Sequence, residues 1–198
     1  MPIIVDKQER RALVLSVAFD LVADRGIDAL TFREIAAATG CSTSIVSHYF
    51  RNKNELLFGV YRQANDRARE RLEAAFEAGL PLLDCFGEIM PTSEDGRRNW
   101  RVWIAFWGRA HLEPAYLEER RRAAEQSLEL YRVMLVRRSG EARGGEARGD
   151  LLFEARRLIA SVAGISLEAC FAPDDWTVER MREVLAAELI DLGFATGL

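Results

Sequence analysis

Residues 30–57 read LTFREIAAATGCSTSIVSHYFRNKNELL, and the middle of that stretch decides how the whole chain is read. Thr31 followed by Glu34 is a capping-box pattern, in which hydroxyl and carboxylate reciprocally satisfy free backbone N–H groups and open a helix. Gly40 closes that helix. Ser42 then offers a cap to a second, very short helix over about 43–49. On a helical wheel Ile45 and Val46 face inward with Ser42 and Tyr49 at the edges, leaving Thr43, Ser44, Ser47 and His48 on the opposite face. A chain rich in long apolar and arginine-bearing segments thus interrupts itself with short, hydrogen-bonding side chains.

Two helices joined by a glycine turn make a helix-turn-helix, whose second helix enters the DNA major groove while the first crosses the backbone. Small side chains let the helix axis approach the base edges. Hydroxyls there bond bases or phosphates, and a threonine methyl can meet a thymine methyl. Lys53 points the same way: at a helix N-terminus a cation opposes the macrodipole by roughly 0.3–1 kcal/mol, a conflict that a nearby phosphate removes. Tyr49 brings a phenolic hydroxyl to the same backbone. With Thr31 and Arg33 at the start of the preceding helix, the expected DNA-contacting set is Thr31, Arg33, Thr43, Ser44, Ser47, His48, Tyr49 and Lys53. Between Thr31 and Lys53 three cations face one carboxylate, Glu34, although the whole chain carries a net charge of −4. That overall charge excludes a uniformly basic nucleic-acid coat but not a local patch.

Outside this stretch 3.6-residue periodicity recurs and strand-like alternation does not, so the expected fold is all-α, with about nine helices. The first helix spans about 7–25, with Leu15, Ala18, Phe19 and Val22 on one face and Gly26 as a left-handed stop. Asn52 with Glu55 caps a long fourth helix that runs to about 78. Further helices are expected near 82–90, 98–110, 114–137, 151–172 and 177–194. Residues 139–150, SGEARGGEARGD, read as a mobile loop, because glycines weaken a helix. A helix-turn-helix head over 1–52 and a helical body over 53–198 follow.

The 198 residues, 49% of them hydrophobic, suffice for a substantial core. No apolar run approaches the roughly 20 residues that cross a bilayer, and no signal-peptide pattern opens the chain, so the expected location is the cytoplasm, with no membrane partner. Cys41, Cys85 and Cys170 form neither a disulfide framework nor a zinc pattern and read as reduced thiols. Two histidines, His48 and His111, lack metal-ligand partners at helical spacing. No nucleophile elbow, phosphate-binding glycine loop or paired-cysteine motif occurs, which disfavours an enzyme and a bound cofactor. The remaining alternatives are a small helical enzyme without a known motif and a helical protein-interaction module.

In the body, NWRVWIAFW places Trp100, Trp103, Ile104 and Trp107 at i, i+3, i+4 and i+7. The plain reading is a core stripe. The functional reading is a pocket wall, since aromatic faces attract cations and a box of them holds a quaternary ammonium. The expected ligand-binding set is Phe86, Trp100, Trp103, Trp107 and Tyr131, with Asp84, Glu88 or Glu113 as candidate carboxylates.

Residues 30–57 as a whole resemble the helix-turn-helix and connecting helix of the TetR family of transcriptional regulators. Cys41, Ser44 and Ser47 stand where that family usually has valine, glycine and tyrosine, and the SHYF form is similar to its choline-responsive Bet repressor subgroup. The aromatic run continues that likeness to about 130. Ser166 and Glu168 depart from it, standing where the subgroup favours an aromatic and an arginine. The resemblance implies a ligand-responsive repressor binding a palindromic operator on double-stranded DNA as a homodimer, with a small-molecule effector held in the body. It also implies that the last two helices pair across the dimer. Leu152, Ala155, Ile159, Val162 and Ala163 are the expected face.

Overall fold

The computed structural model describes residues 7–143 and 150–194, and side chains as far as 140 in the first span. All regular structure among the described residues is helical. The elements are α1 (Lys7–Arg25), α2 (Phe32–Thr39), α3 (Thr43–Tyr49), α4 (Lys53–Glu77), α5 (Leu82–Gly87), α6 (Glu94–Ala110), α7 (Pro114–Arg143), α8 (Leu151–Phe171) and α9 (Val178–Asp191), with a short 3-10 turn at Ile27–Ala29. They divide into two compact units. One gathers the chain up to Arg67 with Arg101–Glu119, the other Ala68–Trp100 with the chain from Arg120 onward.

In the first unit α1 buries Val14, Leu15, Ala18, Phe19 and Val22, the face its periodicity predicts. At the start of α2 the Thr31 hydroxyl accepts from the Glu34 backbone N–H at 3.1 Å. The Glu34 carboxylate accepts from Arg25 Nη1 at 3.2 Å. One half of the capping box therefore forms, and an ion pair from the end of α1 takes the place of the other. Gly40 ends α2 in the left-handed region at φ 67°, with its N–H on the Ala36 carbonyl. Val46, Phe50, Leu30, Ile35 and Leu56 are fully buried. They anchor α3 to the rest of the head.

At Gly59 α4 lies close against α1: a Cβ built there would come within 2.6 Å of Leu15 Cδ2 and 3.5 Å of Phe50 Cε1. Helix propensity alone would favour a larger residue, so the glycine is set by interhelix packing.

In the second unit α8 and α9 pack along Ala155, Leu158, Val162 and Ile165 from one and Met181, Leu185, Ala186 and Leu189 from the other. α9 also meets α5, where Arg182 Nη2 donates to Asp84 Oδ1 at 2.8 Å.

Several expected boundaries shift. α5 stops at Gly87 rather than near 90, and the chain tightens through i+3 bonds such as Glu88 N–H to the Cys85 carbonyl at 3.2 Å. α6 begins at Glu94 rather than 98, because the Ser93 hydroxyl accepts from the Gly96 N–H at 3.1 Å and caps the first turn. α7 continues through Arg143, so 139–143 of the expected loop is helix. Arg137 reaches Glu77 at 2.6 Å and Arg138 donates to the Leu80 carbonyl at 2.7 Å, which ties the late turns of α7 down before Gly140. The rest of that loop, 144–149, lies outside the described residues.

Part of the expected pairing face on α8 turns inward within the single chain. Ala155 and Val162 are buried, and Leu152, Ile159 and Ala163 are half-buried. The exposed small and apolar row on α8 is Phe153, Ala160, Gly164 and Phe171, at i, i+7, i+11 and i+18, and α9 also exposes Val184, Ala187 and Ile190.

Gly59→Val should destabilise the protein by roughly 1–3 kcal/mol, because the added side chain overpacks the α1–α4 contact. A denaturant titration followed by circular dichroism measures it. An unchanged midpoint would show that Leu15 moves aside at no cost.

Candidate functional site

The face of α3 is built by its ends. Ser42 accepts from the Ile45 N–H at 3.4 Å and starts the helix, while the fully buried Phe50 stops it with its N–H on the Val46 carbonyl at 3.0 Å. Between them Thr43, Ser44, Ser47 and His48 are exposed, Ile45 and Tyr49 are half-buried and Val46 is buried. The hydroxyls are held by near neighbours: Ser44 Oγ lies 2.7 Å from Ser42 Oγ, and Ser47 donates to the Thr43 carbonyl at 2.9 Å. His48 and Tyr49 meet edge-on at 5.3 Å.

The flanking elements complete the surface. Thr31 and Arg33 are exposed at the start of α2, and Lys53, half-buried, is the first residue of α4. Asn52 caps α4 by accepting from the Glu55 N–H at 2.9 Å. All eight residues expected to meet DNA belong to the first unit, and α2 packs directly on α3.

The expected ligand set is shared between the units. In the second unit Trp100 is buried with its indole N–H on the Ile89 carbonyl at 2.8 Å, and Phe86 and Tyr131 pack at 4.7 Å. Burial pushes the Tyr131 phenol far above its ordinary pKa, so it stays neutral. In the first unit Trp103 and Trp107 lie parallel at 6.3 Å, and the Trp107 indole N–H donates to the Tyr61 hydroxyl at 3.3 Å. Tyr61 stacks on Phe106 at 3.8 Å, and Tyr116 sits within 4.9 Å of both Phe106 and Phe58. The sequence pattern puts Tyr61 on an apolar stripe of α4 and does not single out Phe58 or Tyr116. Their cluster joins residues more than forty positions apart, and no local signal marks it.

Two of the candidate carboxylates are taken by arginines, Asp84 by Arg182 and Glu113 by Arg109 at 3.2 Å. Sequence reading missed Glu119, whose side chain is only 8% exposed and which holds Arg62 in a fork of 2.7 and 2.8 Å. Its partner is 57 residues away in sequence. Beside it the buried Tyr116 hydroxyl bonds Asn54 Oδ1 at 2.9 Å, and burial raises the Tyr116 pKa. Together these bonds fasten the first turns of α7 to the N-terminal half of α4. Among the described residues no group of three or more His, Cys, Asp or Glu is placed to hold a metal, and no disulfide joins the three cysteines.

Comparison with known proteins shows the family and the fold. Residues 14–60 match the tetR family of bacterial regulatory proteins, and residues 82–193 match the C-terminal domain of BetI-type transcriptional repressors. The chain is 27% identical over 189 residues to the transcriptional regulator PksA of Bacillus subtilis, covering 93% of this chain and 90% of that protein. It is 30% identical over 120 residues to the BetI regulator of Escherichia coli, an alignment that takes in 58% of this chain and 62% of that protein. The fold superposes with a TM-score of 0.79 on a transcriptional regulator of Saccharomonospora viridis solved in complex with choline, at 22% identity over 95% of this chain and 98% of that one. A Rhodococcus regulator gives a TM-score of 0.78 at 24% identity, covering 91% and 94%.

The protein belongs to the TetR family, with a BetI-type C-terminal domain. It is a transcriptional regulator and not an enzyme.

Glu119→Ala should lower stability by about 1–2 kcal/mol, since it removes two charge-assisted bonds while Arg62 remains exposed enough to hydrate. Glu129→Ala, which breaks a surface pair with Arg132, should leave the unfolding midpoint nearly unchanged. Equal midpoints for the two variants would assign Glu119 no more than a surface role.

Proposed function

We propose that the protein is a ligand-responsive repressor that binds a palindromic operator as a homodimer, with DNA affinity controlled by a small molecule. The observation that carries this is the exposed row Thr43, Ser44, Ser47 and His48 on a seven-residue helix anchored by Val46 and Phe50. That row is the base-reading surface, and Tyr49, Lys53, Thr31 and Arg33 hold the phosphates on either side. Residues 1–52 form the DNA-binding domain, and 53–198 hold ligand and dimer contacts.

Two heads related by a two-fold axis read half-sites about one helical turn, ~34 Å, apart. The pairing surface is the row Phe153, Ala160, Gly164 and Phe171 with Val184 and Ile190. Phe171 is 73% exposed and Ile190 61% exposed, an apolar surface of the kind that association covers. Small residues in its middle allow close helix approach.

The effector is an amine, with a quaternary ammonium as the first candidate. The family match and the choline bound to the Saccharomonospora viridis relative support this, as do the aromatic side chains of the body. Control requires that the effector prefer one arrangement of the heads, and a preference of about 1.4 kcal/mol changes operator affinity tenfold. The expected place of work is the cytoplasm, where the operator is.

Mobility-shift titrations with palindromic duplexes test the DNA role. Lys53→Ala is expected to weaken binding alike on all sequences and to lower the salt slope by about one, whereas Thr43→Ala should change the preferred sequence. No shifted species on any duplex at low salt would overturn the reading. Phe171→Asp with Ile190→Asp should convert a dimer to a monomer in sedimentation. Choline, betaine and other amines should raise the melting point with concentration, and none would do so if the effector were of another class.

A further inference from the structure

In the first unit a cleft of about 380 Å³ opens between α1, the α3–α4 turn and α4. It is lined by Arg11, Arg51, Asn52, Asn54, Glu55, Phe58, Gly59 and Arg62. Its hydrogen-bonding capacity is one-sided. The Asn52 side-chain oxygen is spent on the Glu55 N–H at 2.9 Å, and that of Asn54 on the Tyr116 hydroxyl at 2.9 Å, so both amides keep their N–H₂ groups as donors. The Glu55 carboxylate accepts from Arg51 through its backbone N–H at 2.9 Å and its Nε at 3.2 Å. These bonds, the backbone one foremost, hold Glu55 below the ordinary carboxylate range and keep it ionised. Arg51 uses its Nε there and retains both terminal nitrogens.

Arg62 commits Nε and Nη2 to Glu119 and keeps Nη1. Arg11 rests its guanidinium 5.1 Å from the Phe50 ring centroid, a contact through the π face that spends none of its five N–H donors. Three guanidiniums therefore face one lining carboxylate, whose Oε2 is held by Arg51, and the amide oxygens of Asn52 and Asn54 each accept from a neighbour. Guanidinium donors outnumber what that one carboxylate engages, so N–H groups remain for a further anion.

We propose that this cleft is a binding site for an oxyanion of the phosphate or carboxylate class, forked by Arg11 and Arg51 and bonded by the amides of Asn52 and Asn54. Planar guanidiniums suit bidentate oxyanion recognition, and two asparagine donors add direction. Because Arg62 belongs to the same lining, an anion there also competes with Glu119 for that arginine, which would loosen the bond between α4 and the start of α7. The anion can be a free solute or a phosphate of bound DNA. The site goes beyond the effector and base-reading roles proposed above, and its free-solute form is testable without DNA.

The experiment uses the full chain and the double variant Arg11→Gln, Arg51→Gln, both side chains being exposed enough to replace without unfolding the head. Melting temperature is measured against inorganic phosphate, with sodium chloride holding ionic strength constant. A rise in the parent protein, with apparent affinity at least roughly tenfold weaker in the variant, supports a free oxyanion. Binding of a short mixed-sequence duplex is measured in parallel across salt. A salt slope reduced by about two in the variant, without a phosphate effect on melting, supports a DNA phosphate as the source. Phosphate-independent melting together with an unchanged slope would overturn the proposal. A lower starting melting point in the variant is controlled by Arg11→Lys, which keeps the charge and should retain part of the phosphate response.

Discussion

The geometry of the head turns on Gly40. With φ at 67°, it ends α2 in a conformation that a side chain disfavours, and two residues later Ser42 starts α3. That turn fixes the direction in which α3 leaves α2. A seven-residue helix cannot hold itself together in water. α3 persists because Val46 and Phe50 are fully buried, and they can be buried only if the turn delivers them to the core formed with Leu30, Ile35 and Leu56. Everything proposed for the outer row of α3 depends on that inner one.

Charge is distributed in the same economical way. The chain is acidic overall, yet the head carries exposed cations at Arg33 and Arg51, and many of the body's arginines are engaged by carboxylates or carbonyls. Arg182 holds Asp84, Arg137 holds Glu77, and Arg157 reaches both Glu188 at 3.2 Å and Asp191 at 2.5 Å. Exposed pairs of this kind contribute little singly and serve mainly to orient helices. The Arg62–Glu119 fork differs because one partner is buried, so it makes a directional link from α7 to α4.

The aromatic residues show how a stripe in sequence becomes several environments in space. Trp100 is fixed through its indole N–H to the Ile89 carbonyl in one unit, while Trp103 and Trp107 stack in the other with Tyr61 and Phe106 nearby. Their i, i+3, i+7 spacing put them on one helical face as expected. Spacing within one helix says nothing about which partners that face meets along its length.

Local chemistry explains what the amino-acid sequence determined alone. Caps at Thr31, Ser42 and Asn52, the left-handed glycines at 26 and 40, and the apolar period of α1 each act within a few residues, so the head could be read almost to the residue. Tertiary structure decided the rest. Ser93 and the contacts of Arg137 and Arg138 outweighed nearby glycines and lengthened α6 and α7. The packing of α9 chose which side of α8 turned inward, so Ala155 and Val162 are buried and Phe153 and Phe171 remain outside. Glu119 found Arg62 across 57 residues. Such choices compare free energies between segments distant in the chain, and no periodicity within either segment encodes the result.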